Sequence, residues 1–108
     1  MINANLEQFL DTGWFNEATL FYKGYIYWCE AIWHKEKEKP MNFFIYKFPA
    51  KIINNTFFER IEDGKPYEYV LDIWGYGEDD VKEQFLKAKI FEGKSFWEVE
   101  KELAWYDE

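Results

Sequence analysis

The sequence predicts an α+β domain: a five-stranded antiparallel sheet, a meander, with a short N-terminal helix and two C-terminal helices packed on one face. Three observations predict it. Leu20 to Trp33 is an aromatic run broken only by Lys23-Gly24 and Glu30, and aromatic and branched side chains fit the half-buried surface of a strand. Tyr67 to Trp74 alternates with period two, as strands do, and Met41 to Phe48 is a further strand-like run with aromatics on both faces. After Gly77 the apolar residues change to helical spacing, with Val81, Phe85, Leu86 and Ile90 as one stripe.

In chain order, Asn3 is the expected N-cap of a helix that buries Leu6, Phe9 and Leu10, and Gly13 is its expected C′ residue. Phe15 to Tyr22 is the first strand. Lys23-Gly24 turns the chain, because glycine takes positive φ without steric cost. Gly24 to Trp33 is the second strand, apolar on both faces: Tyr25, Tyr27, Cys29, Ala31 and Trp33 on one, Ile26, Trp28 and Ile32 on the other. Such a strand is expected in the middle of the sheet, covered on both faces by helices, another sheet or a partner. His34 to Pro40 alternates in charge and reads as a solvated loop.

The third strand places Phe44, Tyr46 and Phe48 on one face and Phe43, Ile45 and Lys47 on the other. Pro49 should end it or sit at an edge, since proline cannot donate to a ladder. Asn54-Asn55 marks a turn, Thr56 to Glu62 a fourth strand, and Asp63-Gly64-Lys65-Pro66 a hairpin turn into the fifth. There Tyr67, Tyr69, Leu71 and Ile73 alternate with Glu68, Val70, Asp72 and Trp74, leaving one face largely wet. Glu78-Asp79-Asp80 opens a helix whose acids, with Lys87 and Lys89 near its end, complement the macrodipole. Gly93 should stop it. Ser95 and Glu98 form a capping box for a last helix with Phe96, Val99 and Leu103 inward.

At 108 residues the chain reads as a single domain, 1–108. No stretch approaches the ~18–20 uncharged apolar residues of a membrane helix, and no basic-then-apolar leader opens it. A cytoplasmic protein without a membrane partner is the expectation, and one buried cysteine, Cys29, suits a reducing compartment. The aromatics number six Trp, eight Tyr and eleven Phe. Burying them takes on the order of 5,000 Å², against roughly 13,000 Å² removed from water when a chain of this size folds. Composition alone therefore requires no exposed aromatic patch.

Charge is distributed unequally. Residues 1–54 hold six acids and six lysines, whereas residues 55–108 hold fifteen acids against seven bases, so the whole net charge of −8 lies in the second half. Binding to phosphates needs Lys and Arg, and Arg60 is the single arginine. Direct nucleic-acid binding is disfavoured and a basic partner favoured.

Catalytic apparatus is sparse. His34 is the only histidine and, with Glu36 and Glu38, heads a charged loop that reads as solvated, not as a metal site. Ser95, the sole serine, is accounted for as a helix cap. Gly75-Tyr76-Gly77 lies where phosphate loops lie but lacks their lysine, and three acids follow it. The expectation is a protein that is not an enzyme and uses no cofactor. Two places combine aromatic and acidic residues beyond what the core needs: Trp74, Tyr76, Glu78, Asp79 and Asp80, and again Trp105, Tyr106, Asp107 and Glu108. Trp and Tyr anchor interfaces, and acids beside them steer a basic partner. The competing expectation is that Trp105 and Tyr106 fold back onto the domain.

In size, acidity, aromatic richness and missing catalytic apparatus, the chain resembles bacterial immunity proteins that neutralise toxin domains, including those of contact-dependent growth inhibition. The resemblance covers the whole chain in general character and no motif carries it. It implies a cytoplasmic inhibitor whose basic partner is a toxin nuclease or other nucleic-acid enzyme; phage-encoded inhibitors of host nucleases share the same character. Two other readings stand beside it: a structural subunit that buries its aromatic faces in a homo-oligomer, and a small-ligand module or enzyme with a pocket between sheet and helices.

Overall fold

The strand that organises the molecule is Tyr25–Trp33 (β2), paired antiparallel on one side with Thr19–Tyr22 (β1) and on the other with Met41–Ile52 (β3). The computed structural model describes residues 1–11, 17–54 and 57–106. The expected Gly13 helix stop, the Phe15 strand start, Asn55, Thr56, Asp107 and Glu108 lie outside those residues. The fold is α+β: a curled antiparallel sheet with a short N-terminal helix, Leu6–Asp11 (α1), and C-terminal helices.

The β1–β2 hairpin closes as the sequence predicts. Lys23 (φ 48) and Gly24 (φ 87) both take positive φ, the twisted two-residue turn that matches strand twist. Beyond β3 the connectivity departs from a meander. Phe58–Arg60 (β4) and Glu68–Gly75 (β5) form no hairpin with each other; both pair with the same edge of β3, one after the other. The Asp63-Gly64 turn exists, with Gly64 at φ 75 and Asp63 Oδ1 accepting from the Lys65 amide at 3.0 Å. It redirects the chain along β3 because β3 is 12 residues long and hosts two short strands in tandem. Pro49 does not end β3. Its carbonyl accepts from the Ile61 amide at 2.9 Å, on the side where β5 pairing has stopped and β4 pairing begins. Its nitrogen faces that same seam, where no donor is needed.

A sixth strand, Ala104–Tyr106 (β6), adds to β1. It draws in Asn3, whose side chain donates to the Trp105 carbonyl (2.9 Å) and accepts from the Trp105 amide (2.8 Å). Asn3 is thus a strand-edge partner, and the cap of α1 is Asn5, whose Oδ1 accepts from the Gln8 amide at 3.0 Å.

Glu78–Lys87 (α2) follows β5 and buries Val81 and Phe85. Gly75 permits its close approach: a Cβ there would lie 2.7 Å from Asp80 Oδ2 and 2.8 Å from Val81 Cγ1. The helix ends at Lys87, earlier than a stop at Gly93 requires. Gly93 (φ 81) and Glu92 (φ 55) instead form a tight turn joining Phe91 to Lys94. That turn drops Phe91 into the core, its ring centroid 4.7 Å from that of Tyr27 and 5.9 Å from that of Tyr22. Phe96–Val99 (α3) starts at the expected capping box, with the Ser95 amide donating to Glu98 at 3.1 Å, and runs on as a 3₁₀ turn, Glu100–Glu102.

Two clusters hold the sheet. The larger lies between sheet and helices, where Phe43 meets Phe85 (5.5 Å), Phe85 meets Phe96 (5.7 Å) and Phe96 stacks on Phe9 (5.6 Å). The smaller, around Ile26, Phe48 and Ala50, lies on the opposite face and is enclosed by the sheet's own curl. The measure of that curl is the contact of Phe58 with Tyr106 at 6.5 Å, between strands at opposite ends of the sheet.

Candidate functional site

The face away from the helices carries the concentration of unspent aromatic surface, and strand register fixes its pattern. Partners in a ladder point the same way, so the outward residues form rows across β2, β3 and β5. Ile32, Asn42 and Trp74 make the first row, Glu30, Phe44 and Asp72 the second, and Trp28, Tyr46 and Tyr69 the third. Ile26 and Phe48 make a fourth, closed by the curl.

A bulge in β5 makes the third row. Ile45 pairs with Leu71 but Tyr46 pairs with Tyr69, so Val70 is an extra residue. Without it, Tyr67, Tyr69, Leu71 and Ile73 would share one face. With it, Val70, Leu71 and Ile73 pack on the helix-side core while Tyr69 joins Tyr46 and Phe44 outside. The regular alternation read from the sequence is corrected here: the one face splits into a core half and an outer half.

The rings form a continuous chain of contacts. Trp28 stacks on Tyr46 (5.9 Å, 23°), Tyr46 on Phe44 (6.4 Å, 24°), and Tyr67 lies 5.2 Å from both Tyr46 and Phe48. Tyr69 is 66% exposed and Tyr67 45%. Two carboxylates interrupt the rings. Glu30, half-buried, accepts from the Tyr46 hydroxyl at 3.1 Å, and Asp72 accepts from Asn42 Nδ2 at 2.6 Å. Neither forms an ion pair among the described residues. Burial, then the charge of Glu30 and its hydrogen bond, push the Tyr46 phenol up to about 12. At the curled end Arg60 lies 3.9 Å from the Tyr67 ring centroid and 5.7 Å from that of Phe48, so the chain already seats one of its own guanidinium groups on these rings.

The residues singled out from the sequence do not form one patch. Trp74 belongs to the outer face and packs 5.0 Å from His34. Tyr76 is 60% exposed and lies under Lys39, 5.5 Å from its ring. Glu78 and Asp79 are exposed on the first turn of α2. Asp80 is structural: its two oxygens accept from the Tyr76 amide (2.9 Å) and from Gln84 (3.2 Å). Trp105 and Tyr106 are on β6, at the other edge of the sheet from β5. Trp105 packs edge-on to Phe9 at 5.7 Å and Tyr106 is 8% exposed, so both fold back onto the domain. Glu30, Phe44, Tyr46, Tyr67, Tyr69 and Asp72 were not picked out from the sequence. The signal available was a second strand apolar on both faces beside a third with aromatics on both.

Other chemistry is scarce. Among the described residues no group of three or more His, Cys, Asp or Glu side chains could hold a metal ion. His34 Nδ1 lies 3.7 Å from Glu36 Oε1 at the head of the loop. A shallow cleft of about 230 Å³ lies between Trp74 and Lys37, Glu38 and Lys39 of that loop. Burial pushes the Cys29 thiol well above its usual range, which leaves it protonated and unreactive. Among the described residues no helix is long and apolar enough to cross a membrane. No protein-family model, curated protein or solved structure matches the chain.

Proposed function

We propose that this is a binding protein that neutralises a basic protein partner, a toxin nuclease or another enzyme of nucleic acids, through the outer face of its sheet. One observation carries the proposal: an open aromatic array holding two carboxylates, Glu30 and Asp72, that form no ion pair with a cation among the described residues. Aromatic rings supply contact area at low entropic cost, and acids among them favour a cationic surface over a neutral one. The net charge of −8, held in residues 55–108, adds long-range attraction for the cationic cleft of such an enzyme. Self-association through the same face is the weaker reading, because a two-fold contact would bring the acid row against its own copy.

The experiment is affinity capture from the native cell, followed by kinetics with the purified partner at two salt concentrations and assay of its nuclease activity. The proposal expects a basic partner, association that slows as salt rises, and loss of nuclease activity at one-to-one stoichiometry. A stable homo-oligomer that leaves the face covered and captures nothing basic would contradict it.

A further inference from the structure

We infer that the middle of the outer face, where Glu30 lies beside Phe44 and Tyr46, is a seat for an arginine side chain of the partner. This rests on the reading of the protein as a binder of basic proteins and names what that partner must present. Strands are ~4.8 Å apart, so Glu30, Phe44 and Asp72 form a row in which a ring lies between two acids, about 10 Å apart at the backbone. The Phe44 and Tyr46 rings are within 24° of parallel, their centroids 6.4 Å apart. They place π-surface next to a half-buried carboxylate, with the Tyr46 hydroxyl fixing one oxygen of Glu30 and leaving the other to accept.

A planar cation fits this better than a point charge. Guanidinium sheds water more readily than ammonium, stacks on ring faces, and donates in its own plane to a carboxylate at the ring edge. Arg60 makes the ring half of this arrangement within the chain, over Tyr67 and Phe48 one row further along the same face, with the Lys65 carbonyl in place of a carboxylate as acceptor at 3.1 Å. Asp72, held by Asn42, sits on the other side of Phe44 and directs a second cation, or the far edge of the first, to the same row.

The test is a titration of the isotope-labelled protein, followed by NMR, with hexa-arginine and hexa-lysine peptides at equal concentration and low salt. Hexa-arginine should shift the amides of Glu30, Phe44 and Tyr46 and the Trp28 indole, with hexa-lysine weaker at those positions. Glu30→Gln keeps the shape and the Tyr46 hydrogen bond and should weaken hexa-arginine roughly tenfold, the scale of one charge-assisted bond. Phe44→Leu keeps an apolar side chain without a ring and should lower the preference for arginine over lysine; unchanged chemical shifts elsewhere establish that each variant is folded. Shifts confined to Glu78 and Asp79, equal response to the two peptides at Glu30, or no effect of Glu30→Gln would overturn the arginine seat while leaving a basic partner standing. Absence of binding by either peptide anywhere on the protein would overturn both.

Discussion

The two faces of the sheet are built from nearly the same residue types and end in different states. On the helix side, Tyr27, Cys29, Phe43 and Ile45 are fully buried under Phe85, Phe91 and Phe96. On the outer side, Ile26 is fully buried by the curl, yet along the same strand Ile32 is 48% exposed. Helices close the middle of one face, leaving Tyr25 and Trp33 at its ends 36% and 61% exposed, and the sheet's own curvature closes only part of the other. An aromatic residue therefore says that a surface is to be covered without saying by what. The acids distinguish the faces: Glu30 and Asp72 both point outward, where a core would not admit them unpaired.

The sharpest way to break this comparison is to truncate neighbouring rings on opposite faces of β3. Phe43→Ala should cost about 3–5 kcal/mol, as for a fully buried phenylalanine. Phe44→Ala, at a half-buried ring, should cost less, about 1–2 kcal/mol. Denaturant unfolding measures both, and equal losses would mean that the outer face is as closed as the inner one.

Gly75→Ala tests how the helix layer is docked, and should cost about 1–3 kcal/mol because Asp80 and Val81 must move to admit the methyl group. An unchanged midpoint would show that α2 has room to shift. Ser95→Ala should cost about 0.5–2 kcal/mol by removing the cap of α3, leaving association with a basic partner unaltered at saturating concentration. The smallest effect is a pH dependence. Tyr46 is protonated in both folded and unfolded chains below the ordinary tyrosine value of ~10. Between there and about 12 the folded state holds the proton that the unfolded state releases, so stability falls as pH rises through that window. Burial shifts Tyr27 upward as well and adds in the same sense. Tyr46→Phe should make the alkaline loss shallower, read from melting temperatures across that range.

Much of the architecture was legible because local chemistry decided it. Lys23-Gly24 could close only a tight turn, Ser95 with Glu98 only begin a helix, and a strand apolar on both faces belonged in the interior. What was not legible depended on distant partners. Asn3 caps well by its own chemistry, but the edge of β6 claims it. Pro49 ends most strands, but here its nitrogen meets a seam between two successive neighbours. The extra Val70 leaves no mark in an alternating sequence, yet it sends Tyr69 to one face and Leu71 to the other. For the same reason the candidate site was half visible: Trp74 was found, whereas Glu30, Phe44 and Tyr46 became a site only once three strands were laid side by side. Trp105 and Tyr106, bracketed by acids at the end of the chain, looked spare until β6 paired with β1.

The most direct test of the outer face as the binding surface is hydroxyl-radical footprinting of the aromatic side chains, free and in complex with the captured basic partner. Tyr67 and Tyr69 are 45% and 66% exposed on that face, while Tyr76 and Trp97 are 60% and 52% exposed outside the rows of β2, β3 and β5. The account predicts that the partner protects Tyr67, Tyr69, Phe44 and Trp28 and leaves Trp97 labelled as before. Protection of Tyr76 and Trp97 with undiminished labelling of Tyr67 and Tyr69 would contradict it.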